Sequence, residues 1–399
     1  MEHKHYKKSK YQAWTKDLHR ILCMQGGEDD GSYAKNSEAP ASAVVLSKPL
    51  LIEAIHSMKL FSNETSIRIA DLGCATGYNT LSTMELIVGT LSQRYEREQY
   101  YCNSNIDKNN NKVPEFEAFF SDLPSNDFNS LFRSLVPSSL EDSIKKPYFT
   151  AGVPGSFYKR LFPKAKLHFV VSLSALHWLS QIPEEVLDKQ SPAWNEGRAW
   201  IDGGKKAAVD AYAKQSSEDL EAFLQCRKEE VVQGGMLFLL MAGRPGCSQP
   251  DNQLGDPDSR AKHPFTSYMD QAWKDLLNEG LIDEDTRDTF NIPAYMRSME
   301  EVREAFEKCD GFEIMKLEFQ RIVEHSKEKQ EEWIKDPVSY GKCKANLVRA
   351  TLKPIVEAHL GQVLCEELFK RFEKRVSEDI TMLHKTCFYG VIVVSAIRK

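Results

Sequence analysis

Several features that would place the chain in a broad class are missing from its 399 residues. No Cys-x-x-Cys pair occurs among the nine cysteines, so neither a disulfide framework nor a zinc pattern is indicated. No apolar run could span a membrane, and the basic run at residues 3–10 has no apolar segment behind it that would form a signal peptide. The formal charge of −6 argues against a basic nucleic-acid-binding face. We therefore expect a cytoplasmic protein with neither nucleic acid nor membrane as a partner.

Motifs for binding phosphate are absent as well. Gly73 and Gly77 lie four residues apart, without the third glycine that lets a backbone approach a pyrophosphate. No Gly-Lys-Ser/Thr sequence is present, which excludes the usual P-loop. The missing glycine disfavours a nicotinamide oxidoreductase.

What the chain does contain is the order strand, glycine turn and helix at residues 67–80. The apolar run 67–70 reaches Asp71, the chain breaks at Gly73 and Gly77, and a helical pattern follows. In an open α/β sheet this order forms a crevice for a nucleoside at the carboxyl ends of the strands. A crevice that contains an acidic residue but no phosphate-binding motif suits a cationic nucleoside without phosphate, such as S-adenosylmethionine. An ordinary strand–helix turn, with glycines that only allow close packing, is the alternative.

The remaining pattern predicts a Rossmann-like α/β fold with a seven-stranded, mostly parallel central sheet. The other predicted strands lie at 116–120, 148–150, 167–173, 235–241, 312–319 and 388–397. Helical segments beyond those that the sheet needs predict a substrate-binding cap at 245–308 and 325–379. The core would then comprise 1–244, 309–324 and 380–399, with 20–40 as part of a lid. The asparagine-rich run 103–112 is typical of a surface insertion.

Polar side chains follow two of the predicted strands. Asp122 closes the second strand, where an acid commonly accepts hydrogen bonds from ribose hydroxyls; an acid that caps the following turn is the alternative. His177 and Trp178 follow the buried strand 167–173. His177 could be a general base or a hydrogen-bonded part of the pocket wall. Trp178 offers one N–H donor on a large apolar face, which suits orientation of an apolar acid.

Six segments together resemble the plant SABATH family of S-adenosylmethionine-dependent carboxyl methyltransferases, in the order in which that family has them. They are Met24-Gln25-Gly26-Gly27 with Ser32-Tyr33, Ile69 to Cys74, Phe120 to Asn129, Gly152 to Tyr158, His177 to Gln181, and Phe290-Asn291-Ile292-Pro293. The phrases at 24–30, 46–49, 255–259 and 263–266 look most like gibberellin carboxyl methyltransferases.

The resemblance implies two binding sites. Besides Asp71 and Gly73, the cofactor site would contain Tyr33, Ser37, Cys74, Asn79, Asp122, Leu123, Ser156 and Phe157. Gln25 and Trp178 would hold the acceptor carboxylate; many relatives have Lys where this chain has Gln25, and a neutral amide donates a weaker hydrogen bond to a carboxylate. The rest of the acceptor pocket would comprise Ser174, His177, Phe265, Thr266, Tyr295 and Val348. Small side chains at Ser174, Thr266 and Val348 would leave room for a diterpenoid acid.

The implied reaction is transfer of a methyl group to the carboxylate of a gibberellin. Because a carboxylic acid is already ionised at neutral pH, no catalytic base is required. The alternatives are another acceptor (indole-3-acetate, jasmonate, salicylate, benzoate or a monoterpenoid acid) and a non-catalytic binding protein. The resemblance also implies a homodimer and a magnesium ion held by Asn195, Asp288, Phe290 and Asn291, for which a hydrogen-bonded turn is the alternative.

Overall fold

A computed structural model describes residues 18–102, 113–135, 148–254 and 265–399. The basic amino-terminal run, the asparagine-rich insertion, the phrase at 255–259 and the start of that at 263–266 lie outside these ranges. The strands are β1 Ser66–Leu72, β2 Glu115–Asp122, β3 Phe149–Pro154, β4 Leu167–Leu173, β5 Val231–Arg244, β6 Arg297–Ser298, β7 Phe312–Val323 and β8 Phe388–Arg398. The α-helices are α1 Leu18–Ile21, α2 Glu38–Ser57, α3 Tyr78–Cys102, α4 Phe128–Ser134, α5 Lys206–Glu230, α6 Phe265–Asn278, α7 Glu284–Asp288, α8 Met299–Cys309, α9 Lys327–Lys335, α10 Pro337–Leu360 and α11 Gln362–Glu378.

The central sheet has the strand order β3-β2-β1-β4-β5-β8-β7. Strands β1 to β5 pair in parallel, and β8 runs antiparallel to both of its neighbours. The prediction of a seven-stranded, mostly parallel sheet is therefore confirmed; the two-residue β6 is an addition that pairs with β5. Because the chain leaves β1 toward one edge and β4 toward the other, the carboxyl ends of β1 and β4 form the crevice where α/β proteins bind ligands.

Buried apolar side chains form three clusters. Two cover the two faces of the sheet, and a central strand such as β4 is a nearly continuous apolar run because both of its faces are covered. The third holds α6, α10 and α11 together above the carboxyl edge of the sheet. Helix α8 begins at a capping box formed by Ser298 and Glu301, and it packs against the sheet although the sequence pattern assigned it to the cap. The exact division into core and cap stays a prediction.

No helix in the described ranges is both long and apolar enough to cross a membrane.

Candidate active site

The turn after β1 requires glycine for two separate reasons. Gly73 has a φ of +85°, which side chains disfavour, and a Cβ atom there would lie 2.3 Å from the Cβ of Ala175. Its backbone N–H donates to the carbonyl of Ser121 at 2.8 Å, which ties the turn to the end of β2. The turn therefore brings the ends of β1, β2 and β4 into close contact.

Asp122 lies at the end of β2 and reaches across this turn. One carboxylate oxygen accepts from the N–H of Ala75 at 2.8 Å and the other from the N–H of Leu123 at 2.7 Å. Burial raises the pKa of Asp122 to about 6 against the lowering effect of these two hydrogen bonds. Each oxygen retains a lone pair for a further donor. The carboxylate is thus fixed in place and can still accept from ligand hydroxyls.

Asp71 is a second buried carboxylate beside the first. Its Oδ2 accepts a short hydrogen bond from Thr80, while its buried Oδ1 has no hydrogen-bond partner among the described residues. Burial, and then the neighbouring charge of Asp122, raise the pKa of Asp71 to about 7. A buried acceptor without a donor is costly, and an ammonium group of a ligand would both pair with it and favour its ionised form.

All ten predicted cofactor-binding residues come together around these carboxylates. A crevice with about 710 Å³ of empty space, including the part open to solvent, is lined by Tyr33, Gly73, Asp122, Leu123, Ser156 and Phe157. The adjoining recess is lined by Tyr33, Asp71, Gly73, Cys74 and Asn79. Ser37 accepts a long hydrogen bond of 3.4 Å from the side chain of Asn79. Burial raises the pKa of the Cys74 thiol well above its usual value, so the thiol stays protonated and is a poor nucleophile.

The segment before α2 covers the crevice and is anchored at two points. The N–H of Gln25 donates to the carbonyl of Ala350 in α10 at 2.8 Å, and the N–H of Tyr33 donates to the carbonyl of Gln25 at 2.9 Å. The carboxylate of Asp127, which also caps α4, accepts from the N–H of Gly27 at 3.1 Å. The backbone of Gln25 thereby joins Tyr33 of the crevice to Ala350 of the cap, but Gln25 is not among the residues that line the crevice or the large cavity.

A second, larger cavity opens between the cap and the sheet. It has about 1520 Å³ of empty space, including the part open to solvent, and its walls are mostly apolar. His177, Trp178, Phe265 and Val348 are among its lining residues, as predicted for the acceptor pocket. Trp178 lines both this cavity and the cofactor crevice, so the two spaces adjoin at this residue.

The backbone around Trp178 is held from several sides. The hydroxyl of Tyr158 donates to the carbonyl of Trp178 at 2.5 Å, and the buried guanidinium of Arg297 donates to the carbonyl of Leu176. The N–H of Leu179 donates to the carbonyl of Pro293 at 2.7 Å. The indole N–H of Trp178 makes no hydrogen bond to a described residue. A rigid backbone and an uncommitted donor suit a residue that orients a ligand.

His177 lies next to Trp178, with ring centroids 5.4 Å apart. Burial, together with the nearby charge of Arg297, lowers the pKa of His177 to about 4. The ring is therefore neutral at physiological pH, and its buried Nδ1 has no hydrogen-bond partner in the described part of the chain. A neutral imidazole in an apolar wall does not attract a carboxylate by charge.

Three residues predicted for the acceptor pocket are placed elsewhere or are engaged within the protein. Ser174 lines the cofactor crevice and its recess. The hydroxyl of Thr266 donates to Asp202 at 3.0 Å, and that of Tyr295 donates to Glu301 at 2.7 Å. Neither of these two residues is among those that line the large cavity. Direct contact of these three with an acceptor stays a prediction.

The predicted metal ligands meet in a buried, hydrogen-bonded turn. The amide of Asn195 donates to Oδ1 of Asn291 at 2.7 Å, and Oδ1 of Asp288 accepts from Nε of Arg287 at 2.7 Å and from the N–H of Gly197 at 2.9 Å. Phe290 stacks on Trp273. Because the single carboxylate is neutralised by a guanidinium, this arrangement does not fit Mg²⁺, which needs near-octahedral oxygen ligands.

No cluster of three or more His, Cys, Asp or Glu side chains suited to a metal occurs in the described ranges either. We therefore assign no metal-dependent step.

Several residues that position the site are not evident from the sequence. Thr80, which holds Asp71, and Arg297, which holds Leu176, carry no local signal, because each acts through a contact that only the fold creates. Tyr158 was within reach, since it ends the segment Gly152–Tyr158 that the resemblance singled out. Its hydroxyl function could not be read from that segment alone.

Comparison with known proteins agrees with this geometry. The family described as S-adenosylmethionine-dependent carboxyl methyltransferases matches residues 19–399. The chain is 59% identical to gibberellic acid methyltransferase 2 of Arabidopsis thaliana, over 96% of each chain. It is 54% identical to gibberellic acid methyltransferase 1 of the same plant, over 96% of this chain and 99% of the other.

A solved structure of loganic acid methyltransferase with SAH has the same fold. It superposes with a TM-score of 0.78 at 32% identity, over 94% of this chain and 98% of that one.

Proposed function

The chain belongs to the family of S-adenosylmethionine-dependent carboxyl methyltransferases, and on that premise we propose that its acceptor is a gibberellin, which it converts to the methyl ester. One observation carries the proposal: the cofactor crevice and a large, mostly apolar cavity adjoin at Trp178. A rigid diterpenoid acid of roughly 25 non-hydrogen atoms is within the size range that such cavities accept. The identity to two gibberellic acid methyltransferases supports this acceptor over smaller acids.

The residues of the crevice suit the cofactor. Asp122 would accept from ribose hydroxyls, and the unpaired Oδ1 of Asp71 would accept from the ammonium group of the methionine part. Ser156 and Phe157 line the same crevice. When bound, S-adenosylmethionine supplies an electrophilic methyl group that passes from its sulfonium sulfur to an oxygen of the acceptor carboxylate.

The acceptor side needs no proton transfer. The carboxylic acid is ionised at neutral pH, so its oxygen is already the nucleophile. The indole N–H of Trp178 and the side-chain amide of Gln25 would hold one carboxylate oxygen and leave the other directed toward the crevice. Arg244 also lines the cavity, but its guanidinium donates to Met296, Tyr295 and Glu301. Catalysis then comes from alignment of the reactants and exclusion of water.

A labelled-methyl assay tests the proposal directly. The protein is incubated with methyl-labelled S-adenosylmethionine and a panel of gibberellins, indole-3-acetate, jasmonate, salicylate, benzoate and a monoterpenoid acid, and the ester is identified by mass spectrometry. We expect a labelled gibberellin methyl ester, formed with a kcat/KM at least tenfold above that of the other acids. Higher activity on another acid would replace the acceptor, and no label transfer to any acid would favour a non-catalytic binding protein.

The homodimer and the magnesium ion have only the family resemblance as support, and the cytoplasmic location has only the sequence composition. For the homodimer and the location we propose direct tests, by light scattering of the purified protein and by fractionation of tissue extracts.

A further inference from the structure

The acceptor cavity extends well beyond the side chains around Trp178. Trp178 follows β4, whereas Glu324 follows the end of β7, and the strand order between them is β4-β5-β8-β7. Three steps between neighbouring strands, at about 4.8 Å each, separate the two ends by roughly 14 Å along the edge of the sheet. Glu324 and Lys344 both line the cavity at this distant end.

This end of the cavity differs chemically from the rest. Lys344 forms an ion pair with Glu324, and only 10% and 17% of their side chains are exposed. Tyr340 and Tyr389 line the cavity beside them. The walls between Trp178 and this pair include Ala242, Gly243 and Phe319, which offer no side-chain hydrogen bond to a ligand. Arg244, which lines the cavity at the end of β5, already donates to Met296, Tyr295 and Glu301, whereas the Lys344–Glu324 pair lies where a long acceptor would end.

A buried ion pair of this kind gives a protein little net stability. Removal of two charges from water costs several kcal/mol per ion, and replacement of a buried pair by apolar residues is often neutral or stabilising. The pair presents one group that only donates hydrogen bonds and one that only accepts them. A hydroxyl group donates and accepts at the same time, so it complements both. A second carboxylate would be repelled by Glu324, and an apolar end would leave the pair without a ligand.

We propose that Lys344 and Glu324 form a second polar subsite, which binds a ring hydroxyl at the end of the acceptor opposite its carboxylate. The inference rests on the proposed function, because it assumes a rigid acid long enough to reach from Trp178 to this pair. Its consequence is selectivity among gibberellins: the enzyme favours an acid with a hydroxyl at that end over the matching acid without one.

The test compares two gibberellins that differ by one ring hydroxyl at the end remote from the carboxylate. For each protein the measured quantity is the ratio of kcat/KM for the hydroxylated acid to that for the deoxy acid. In the unchanged protein we expect a ratio of tenfold or more, in the range that hydrogen bonds to charged groups contribute. In the double variant Lys344→Met with Glu324→Leu we expect the ratio to fall below about 2, with the loss on the hydroxylated acid.

The double variant is chosen because a single change would leave one buried charge unpaired and could unfold the chain. Lys342→Met, an exposed lysine two residues away on α10, is the matched control and should keep the original ratio. A thermal unfolding curve for each variant confirms that it is folded.

Each outcome has one meaning. A ratio near 1 in the unchanged protein, or an unchanged ratio in the folded double variant, overturns the subsite while gibberellin methylation stands. Equal losses on both acids also overturn it, because they indicate general damage to the cavity. If the unchanged protein methylates neither gibberellin but esterifies another acid, the proposed function itself fails and the subsite fails with it.

Discussion

The cofactor crevice and the acceptor cavity meet at Trp178, yet the chain builds their walls in different ways. The crevice is made of short segments at strand ends, such as 71–79 and 122–123, and its central groups are two carboxylates with raised pKa values. The cavity draws on the loop after β4, on β5, β7 and β8, and on the cap helices α6, α10 and α11, and its walls are mostly apolar. The crevice is thus specified by local backbone geometry, and the cavity by how the cap docks on the sheet.

The comparison implies that each half can be damaged without the other, and Trp178 is the strongest case. Trp178→Ala should lower kcat by about 100- to 1000-fold, because the carboxylate loses a positioned donor. The affinity for S-adenosylhomocysteine, measured by calorimetry, should change less than threefold. Trp178→Phe, which retains the ring area but lacks the N–H, separates the donor from the packing. An unaltered kcat in the alanine variant would remove Trp178 from the acceptor site.

Asp122→Asn should produce the opposite pattern. An amide has one acceptor oxygen where the carboxylate has two, so it cannot serve Ala75, Leu123 and the ribose together. We expect weaker S-adenosylhomocysteine binding by about 1.5–3 kcal/mol, which is roughly 10- to 150-fold. Glu115→Gln, an exposed acid on the same strand, is the control. Full affinity in the Asp122 variant would refute the ribose assignment.

The raised pKa of Asp71 predicts that cofactor binding in the crevice depends on pH. Its pKa of about 7 lies above the ordinary value of 3.8, so the ionised form that pairs with a cation is present above pH 7 and is lost as the pH falls. Affinity for S-adenosylhomocysteine should therefore drop about tenfold between pH 8 and pH 6. Asp71→Asn should bind weakly at both values and lose this step. A flat profile in the unchanged protein would argue that Asp71 does not pair with the cofactor.

The same pKa has the reverse effect on the stability of the free protein. The pKa of Asp71 is higher in the folded state than in the unfolded state. Its neutral carboxyl therefore stabilises the fold fully at a pH below the unfolded-state pKa, and this contribution is lost as the pH rises through about 7. Asp71→Asn should thus raise the free energy of unfolding of the free protein at pH 8 by about 1–3 kcal/mol while it weakens cofactor binding. Denaturant titration measures the first effect.

Tyr158→Phe should have the smallest effect and acts at the boundary between the two halves. It removes the hydrogen bond from the Tyr158 hydroxyl to the carbonyl of Trp178 and leaves the ring in place. We expect kcat/KM for the acid to fall about three- to tenfold, the value of one neutral hydrogen bond, with cofactor affinity unchanged. A larger loss of cofactor affinity than of kcat/KM would show that Tyr158 serves the crevice instead.

Most of the sheet and most of the crevice could be predicted from the sequence. The runs 167–173 and 388–397 became β4 and β8 almost residue for residue, because strands buried on both faces are continuous apolar runs. The reversal of β8 could not be predicted, since no local pattern distinguishes its direction. Asp71, Gly73 and Asp122 were identified because an acid and a glycine turn at strand ends converge whenever the strands are parallel.

The acceptor cavity shows the limit of such reasoning. The sequence predicts that Ser174 faces the acceptor. Ser174 directly follows β4 with a left-handed φ of +54°, and its place is in the wall of the cofactor crevice. Thr266 was predicted as an open position, yet its hydroxyl is bound by Asp202 from a loop 64 residues earlier in the chain. Neither the φ angle nor the distant partner is visible in the local sequence.

The sequence by itself determined the strand–turn–helix that holds the methyl donor, because hydrophobic periodicity and the steric demands of Gly73 act within a few residues. It also determined, through its segments in order, that the chain is a carboxyl methyltransferase. Only the tertiary structure decided which side chains surround the acceptor and that Lys344 meets Glu324 at its far end. Those contacts join residues on separate strands and helices, and their free energy arises only when the cap packs on the sheet.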